Sequence, residues 1–207
     1  METAVQRHLS PHGARRRKPA AGLSTPASRP LRALSAPQVM ARLVAAIAAA
    51  DGEAGAHCVH ELWMRGEPPM NVEAALGRLW DRAAATIPEW LPMRYVDWLP
   101  ALYEVAGQCA AGRKGRTHVY LVLLDYADSA RGPFGIYVGM SRYRAALRFD
   151  QHKAGIRAAG SVLRRGVEVL TGPVQHLQFI AREEAARIEI ELAEALRARD
   201  LIVKGGH

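Results

Sequence analysis

The chain has 207 residues, 49% of them apolar, enough to bury one sizeable core or two small ones. Two cysteines, Cys58 and Cys109, exclude a disulfide framework and a cysteine-rich metal site, and no apolar run reaches membrane-spanning length. The net charge of +8 is uneven, at +6 over residues 1–35, −2 over 36–115 and +4 over 116–207. That balance favours a polyanionic partner without choosing among DNA, RNA and acidic lipid.

Residues 1–35 read as a disordered basic tail. Pro11, Pro19, Pro26 and Pro30 interrupt them, and Arg15, Arg16, Arg17 and Lys18 form a basic tetrad. The tetrad is either a phosphate-contacting arm or a solvated tail. The N-terminus shows no hydrophobic signal core, so cytoplasm is the expected location and no membrane partner is expected.

Residues 36–115 read as a helical accessory region. Ser35 is placed to cap a helix with Pro37 in its first turn, and Asp51–Gly52 to stop it. The segment 57–64 is a second helix. Asn71 is expected to cap a third, with Glu73 and Arg78 outward and Ala75, Leu76, Leu79 and Trp80 inward. His57 and His60, three apart, share a helix face, but no third metal ligand accompanies them. Gly112–Gly115 reads as a linker to a third region, 116–207.

Beyond it the pattern becomes extended. Residues 119–125 fit a buried strand, 126–135 a turn, and 136–140 a return strand, most simply antiparallel. Tyr120 and Tyr137 sit on these strands, and Gly139 leaves room for a close backbone or ligand approach. Ser141 is expected to cap a helix over 142–152. On it, Arg144, Arg148 and His152 lie four apart in one stripe. Such a stripe suits a phosphate, because guanidinium offers a planar fork to its oxygens; the plainer reading is a solvated face.

The last helix, in AREEAARIEIELAEALRARD, carries an apolar stripe of Ala185, Ile188, Leu192 and Leu196. At about 100° per residue Glu189 falls inside that stripe, while Glu183, Glu184, Glu191 and Glu194 fall outside it. A buried carboxylate needs a partner. The two candidates are an inward arginine and a hard divalent cation that prefers oxygen ligands.

At these residues the chain resembles the GIY-YIG nuclease superfamily. The tripeptide His118-Val119-Tyr120 stands at the family's first motif and Tyr137-Val138-Gly139 at its second. Arg148, Phe149 and His152 look like its helix-arginine region, and Glu189 like its metal-binding glutamate. The extra length between the tyrosines falls in the Asp125–Gly135 loop.

The resemblance covers roughly 116–205. It implies an α+β fold: a small antiparallel sheet flanked by helices, with a third strand near 167–170 or 176–179. The implied activity is metal-dependent endonucleolytic hydrolysis of DNA, with Mg²⁺ as cofactor and Mn²⁺ as a substitute. Tyr120 would orient the attacking water or accept its proton. Tyr137 would bind the scissile phosphate or assist that water, Arg148 would stabilise transition-state charge, and Glu189 would hold the metal. Arg144 and Lys153 would support the nucleic acid, and His152 would orient a tyrosine or water. Asp150 is expected at the surface. A noncatalytic nucleic-acid-binding module and a structural or protein-interaction domain are the competing readings.

Overall fold

A computed structural model describes residues 26–128 and 132–206. The basic tetrad and most of the expected tail lie outside the described residues. Residues 26–35 fall in the stretch expected to be disordered, yet they pack on the body of the protein. Leu31 is buried, and Arg29 pairs with the buried Glu61, which Arg65 also holds.

Four helices come first: α1 (Ala36–Ala48), α2 (Gly52–Met64), α3 (Pro69–Ala83) and α4 (Leu99–Gln108). Ser35 caps α1, as the sequence predicts, and Gln38 returns the bond to complete a capping box. Asp51 opens α2 by accepting from the Ala54 amide. The third helix departs from expectation. It begins at Pro69, not after Asn71, and Trp80 is 53% exposed, not inward. The phase of the helix is set by Val72, Ala75, Leu76 and Leu79, all buried, and Trp80 lies off that stripe.

The sheet contains β1 (Lys114–Asp125), β2 (Phe134–Ser141), β3 (Gly166–Val169) and β4 (Val203–Gly205), in the order β3-β1-β2-β4. The first three strands are antiparallel neighbours. The short β4 runs parallel to β2, so the sheet is mixed and not wholly antiparallel. Of the two places expected for the third strand, 166–169 is the strand. Residues 175–177 form a single 3₁₀ turn, after which Ile180 bridges to the start of β1. Between β2 and β3 come α5 (Ala145–Lys153) and α6 (Gly160–Arg165), and α7 (Arg182–Arg197) precedes β4.

The expected linker is part of this architecture. Glu184 of α7 accepts from the amides of Gly112 and Arg113 at 3.0 and 2.9 Å, and Lys114–Gly115 already belongs to β1.

Strand alternation divides the side chains between two faces. Val119, Leu121, Leu123, Ile136 and Val138 join one large core with α7 and the N-terminal helices. Tyr120, Val122 and Leu124 face the other way, with Tyr137, under Phe149 of α5 and Val162 of α6. The helical region and one face of the sheet therefore share a single core. Among the described residues, no helix is long and apolar enough to cross a membrane.

Candidate functional site

The register places Tyr120 opposite Gly139 and Val122 opposite Tyr137. Both tyrosines thus emerge on the same face, with ring centroids 5.9 Å apart. An ideal Cβ at Gly139 would lie 2.6 Å from Cε1 of Tyr137 and 2.8 Å from Cζ and Oη of Tyr120. The space expected for a close approach is filled by the tyrosine rings themselves.

Helix α5 supplies the next layer. It starts after Arg144, three residues later than the expected Ser141 cap; Ser141 Oγ accepts from the Tyr143 amide in the preceding turn. It ends in a Schellman turn, with Gly155 N–H bonding to the His152 carbonyl and Ile156 N–H to that of Gln151. Gly155 takes the left-handed conformation, φ 79°, that this turn requires.

The turn sends residues 156–159 back along α5, where they fix two side chains. Arg148 donates to the carbonyls of Ile156 and Arg157 and to Gln151 Oε1. The Ala159 amide donates to His152 Nδ1 at 2.9 Å. The neutral imidazole therefore carries its proton on Nε2 and donates it to Tyr120 Oη at 2.8 Å.

Arg148 and Tyr137 both act electrostatically on the Tyr120 hydroxyl, and the Tyr120 ring packs against that of Tyr137. The hydrogen-bonded series runs from the Ala159 amide through His152 to Tyr120, and the Tyr137 ring packs against both His152 and Tyr120.

Burial grades along this series. His152 and Tyr120 are buried, Tyr120 being 1% exposed, while Tyr137 and Arg148 are half-buried. Burial, with the neighbouring Tyr137, pushes the Tyr120 phenol well above its ordinary range, so it remains a neutral hydroxyl. Burial also raises Tyr137. His152 falls to about 4, first because it is buried and second because Arg148 is near. Of the two roles expected for Tyr120, this environment favours orientation by hydrogen bonding over proton abstraction.

Glu189 is 8% exposed on α7, inside the apolar stripe as the sequence predicts. Its charge is felt at Tyr137 and helps raise that phenol. The end of β4 and the residue after it approach both: a Cβ at Gly205 would sit 3.2 Å from the Tyr137 ring, and one at Gly206 3.4 Å from the Glu189 carbonyl. Tyr120, Tyr137, Arg148 and His152 are thus in direct contact, and Glu189 acts on the group from α7.

The remaining predicted residues divide. Arg144 is exposed at the start of α5, where it lines a cleft shared with Tyr120. Lys153 donates to the carbonyls of Leu163 and Gly166, fastening α5 to α6 and β3. Asp150 is exposed. Sequence reasoning missed residues 156–159, although Gly155 just past the helical pattern is the signal for such a turn. Around the site, residues 142–165 carry seven arginines and lysines against Asp150 alone, so the surface is strongly electropositive.

No group of three His, Cys, Asp or Glu side chains suited to a metal occurs among the described residues. A single carboxylate beside a polar cluster does fit Mg²⁺, which keeps several waters and takes its remaining ligands from substrate phosphate. His57 and His60 are buried against Trp90, and His57 Nδ1 and His60 Nε2 have no hydrogen-bond partner. No family model, curated protein or solved structure matches the chain.

Proposed function

We propose that the protein is a Mg²⁺-dependent DNA endonuclease of the GIY-YIG type. The observation that carries this reading is the packed group of Tyr120, Tyr137 and His152 with Arg148 beside it, which meets the charge of Glu189 at Tyr137 on an electropositive face. In it Tyr137 and Arg148 are the groups that meet substrate. Tyr120 and His152 lie behind them and act by positioning.

Each residue then has a task its environment suits. The proton of His152 sits on Nε2 and fixes the Tyr120 oxygen. Tyr137, half-buried on the same face, has its hydroxyl placed to orient water or a phosphate oxygen. Arg148, braced by two backbone carbonyls, presents fixed positive charge where negative charge develops in phosphodiester hydrolysis. Glu189 would hold Mg²⁺, which supplies Lewis-acid polarisation of the phosphate and stabilises the leaving oxygen.

One observation favours the noncleaving nucleic-acid-binding module as the second reading. Three acceptors inside the protein already engage the Arg148 guanidinium, which limits the donors left for a phosphate.

Nicking of supercoiled plasmid separates the two readings. The wild-type protein is expected to nick in Mg²⁺ and to stop in EDTA. Glu189→Ala is expected to abolish nicking while DNA affinity is kept. Nicking by the variant at the wild-type rate refutes the assignment of Glu189. Tight binding by a folded wild-type protein that nicks neither plasmid nor branched duplexes establishes the noncleaving module.

A further inference from the structure

Beside the site lies a cleft of about 740 Å³, between the N-terminal helical region and the segment that follows β3. Tyr120 and Arg144 form part of its wall, so it adjoins the cluster directly. Aromatic rings line it: Trp90 from the helical region, with His118 and Phe179 opposite. Gln175 and Glu89 add hydrogen-bonding groups. Its volume lies in the range of sites for small organic groups.

Phe179 is the odd residue in this wall. Its φ is 59°, a left-handed conformation that a bulky side chain adopts only under constraint. The constraint is visible on both sides. Gln178 is pinned by donating to the carbonyls of Val119 and Val174 and by accepting from His118 Nδ1. The Phe179 carbonyl in turn accepts from the Gly115 amide.

Glycine or asparagine would relieve the strain, and core packing does not call for phenylalanine, because this ring is 56% exposed. Its ring makes a T-shaped contact with His118, centroids 4.5 Å apart, and more than half of the residue remains exposed. A strained, exposed aromatic at the mouth of a cleft is arranged as a stacking surface.

We propose that this cleft takes an unpaired nucleotide of the DNA substrate, its base stacked on Phe179 and its phosphate at Arg144. The inference rests on the nuclease reading and names its substrate class. Every base offers a π-face to an aromatic ring, whereas a paired base keeps its faces inside the duplex stack. The Glu89 carboxylate accepts from an exocyclic base amine and repels phosphate, which places the sugar-phosphate at the Arg144 end. Because Arg144 begins the helix that carries Arg148 and His152, a nucleotide held there sets the adjoining phosphodiester at the Tyr137–Arg148 face.

The test measures binding in EDTA, where no cleavage occurs, by fluorescence anisotropy. The probes are a labelled duplex with a single unpaired adenine and the same duplex fully matched. Wild-type protein is expected to bind the bulged duplex roughly tenfold more tightly, in line with one base–aromatic stack. Phe179→Ala should lose that preference while matched-duplex affinity stays within about twofold, and Phe179→Trp should restore it. Equal wild-type affinity for the two duplexes overturns the proposal, as does a Phe179→Ala defect that weakens both alike. Cleavage in Mg²⁺ is read separately. A wild-type protein that prefers the bulge but never cuts refutes the nuclease reading and leaves the nucleotide cleft standing. One that cuts without preferring the bulge does the reverse.

Discussion

Replacing Gly139 by alanine tests the geometry of the tyrosine pair. A glycine inside a strand is ordinarily a weakness, and alanine in its place gains roughly 0.5–1 kcal/mol. Here the sign reverses. The new methyl would stand 2.6 Å from the Tyr137 ring and 2.8 Å from Cζ and Oη of Tyr120. Ordinary carbon contacts lie near 3.5–4.0 Å, so both rings must withdraw by about 1 Å. Tyr120 is only 1% exposed, and its bond to His152 is 2.8 Å long, so a shift of that size breaks the bond. Overpacking costs about 1–3 kcal/mol and the lost hydrogen bond about 1 kcal/mol more. The expected loss is therefore about 2–4 kcal/mol in urea unfolding at pH 7.5, with an unchanged m-value and depressed plasmid nicking under conditions where the variant remains folded. A variant as stable as the wild type, or more stable, would refute the account of why glycine stands there.

Two further outcomes follow from the same cluster and from α2. Tyr120→Phe leaves the His152 Nε2–H buried with no acceptor, which costs about 1–3 kcal/mol. Nicking should fall by at least about tenfold even where urea curves show the variant fully folded, and full activity would remove Tyr120 from the mechanism. Stability should also decline in mild acid. Burial, then the neighbouring His57, lowers His60 from 6.5 to about 4, with Glu61 and Arg29 also facing it, and His152 moves the same way. Below pH 6.5 the unfolded chain takes up protons that the folded imidazoles refuse. The stabilisation is complete above 6.5 and is lost as pH falls toward 4, by about 3 kcal/mol for His60. A urea midpoint that is flat between pH 7 and 4.5 contradicts this.

The features legible in the sequence are those written in local pattern. The Ser35 cap, the two long strands and the inward Glu189 each follow from local spacing, where the residue pattern marks the helix start and the side-chain period fixes the face. The features that escaped depend on partners distant in the chain. Trp80 was misplaced because an aromatic residue carries no label for which side its helix will bury. Glu61 gave no sign of burial, since the arginine that compensates it from outside its helix, Arg29, lies 32 residues earlier in a stretch that composition reads as disordered. Strand β4 is three residues long, too short for alternation to show. In the candidate site the members were visible but not their order. Nothing in the spacing reveals that the Ala159 amide sets the His152 tautomer, or that Tyr120 is sealed while Tyr137 is reachable.

The union of the helical region and the sheet in one core bears on how the protein can be handled. The change from helical to extended pattern near Gly112 invites a cut, with residues 116–207 expressed alone as a minimal fragment. Such a fragment would lose the two amides that Glu184 holds and the opening residues of β1. It would also bare to water the sheet face formed by Val119, Leu121, Leu123, Ile136 and Val138 wherever the N-terminal helices now cover it. An apolar surface of that kind drives aggregation. It would leave the cleft without Trp90 and Glu89 as well. An insoluble or inactive fragment would therefore say nothing against the chemistry, and activity belongs to be sought in the whole chain.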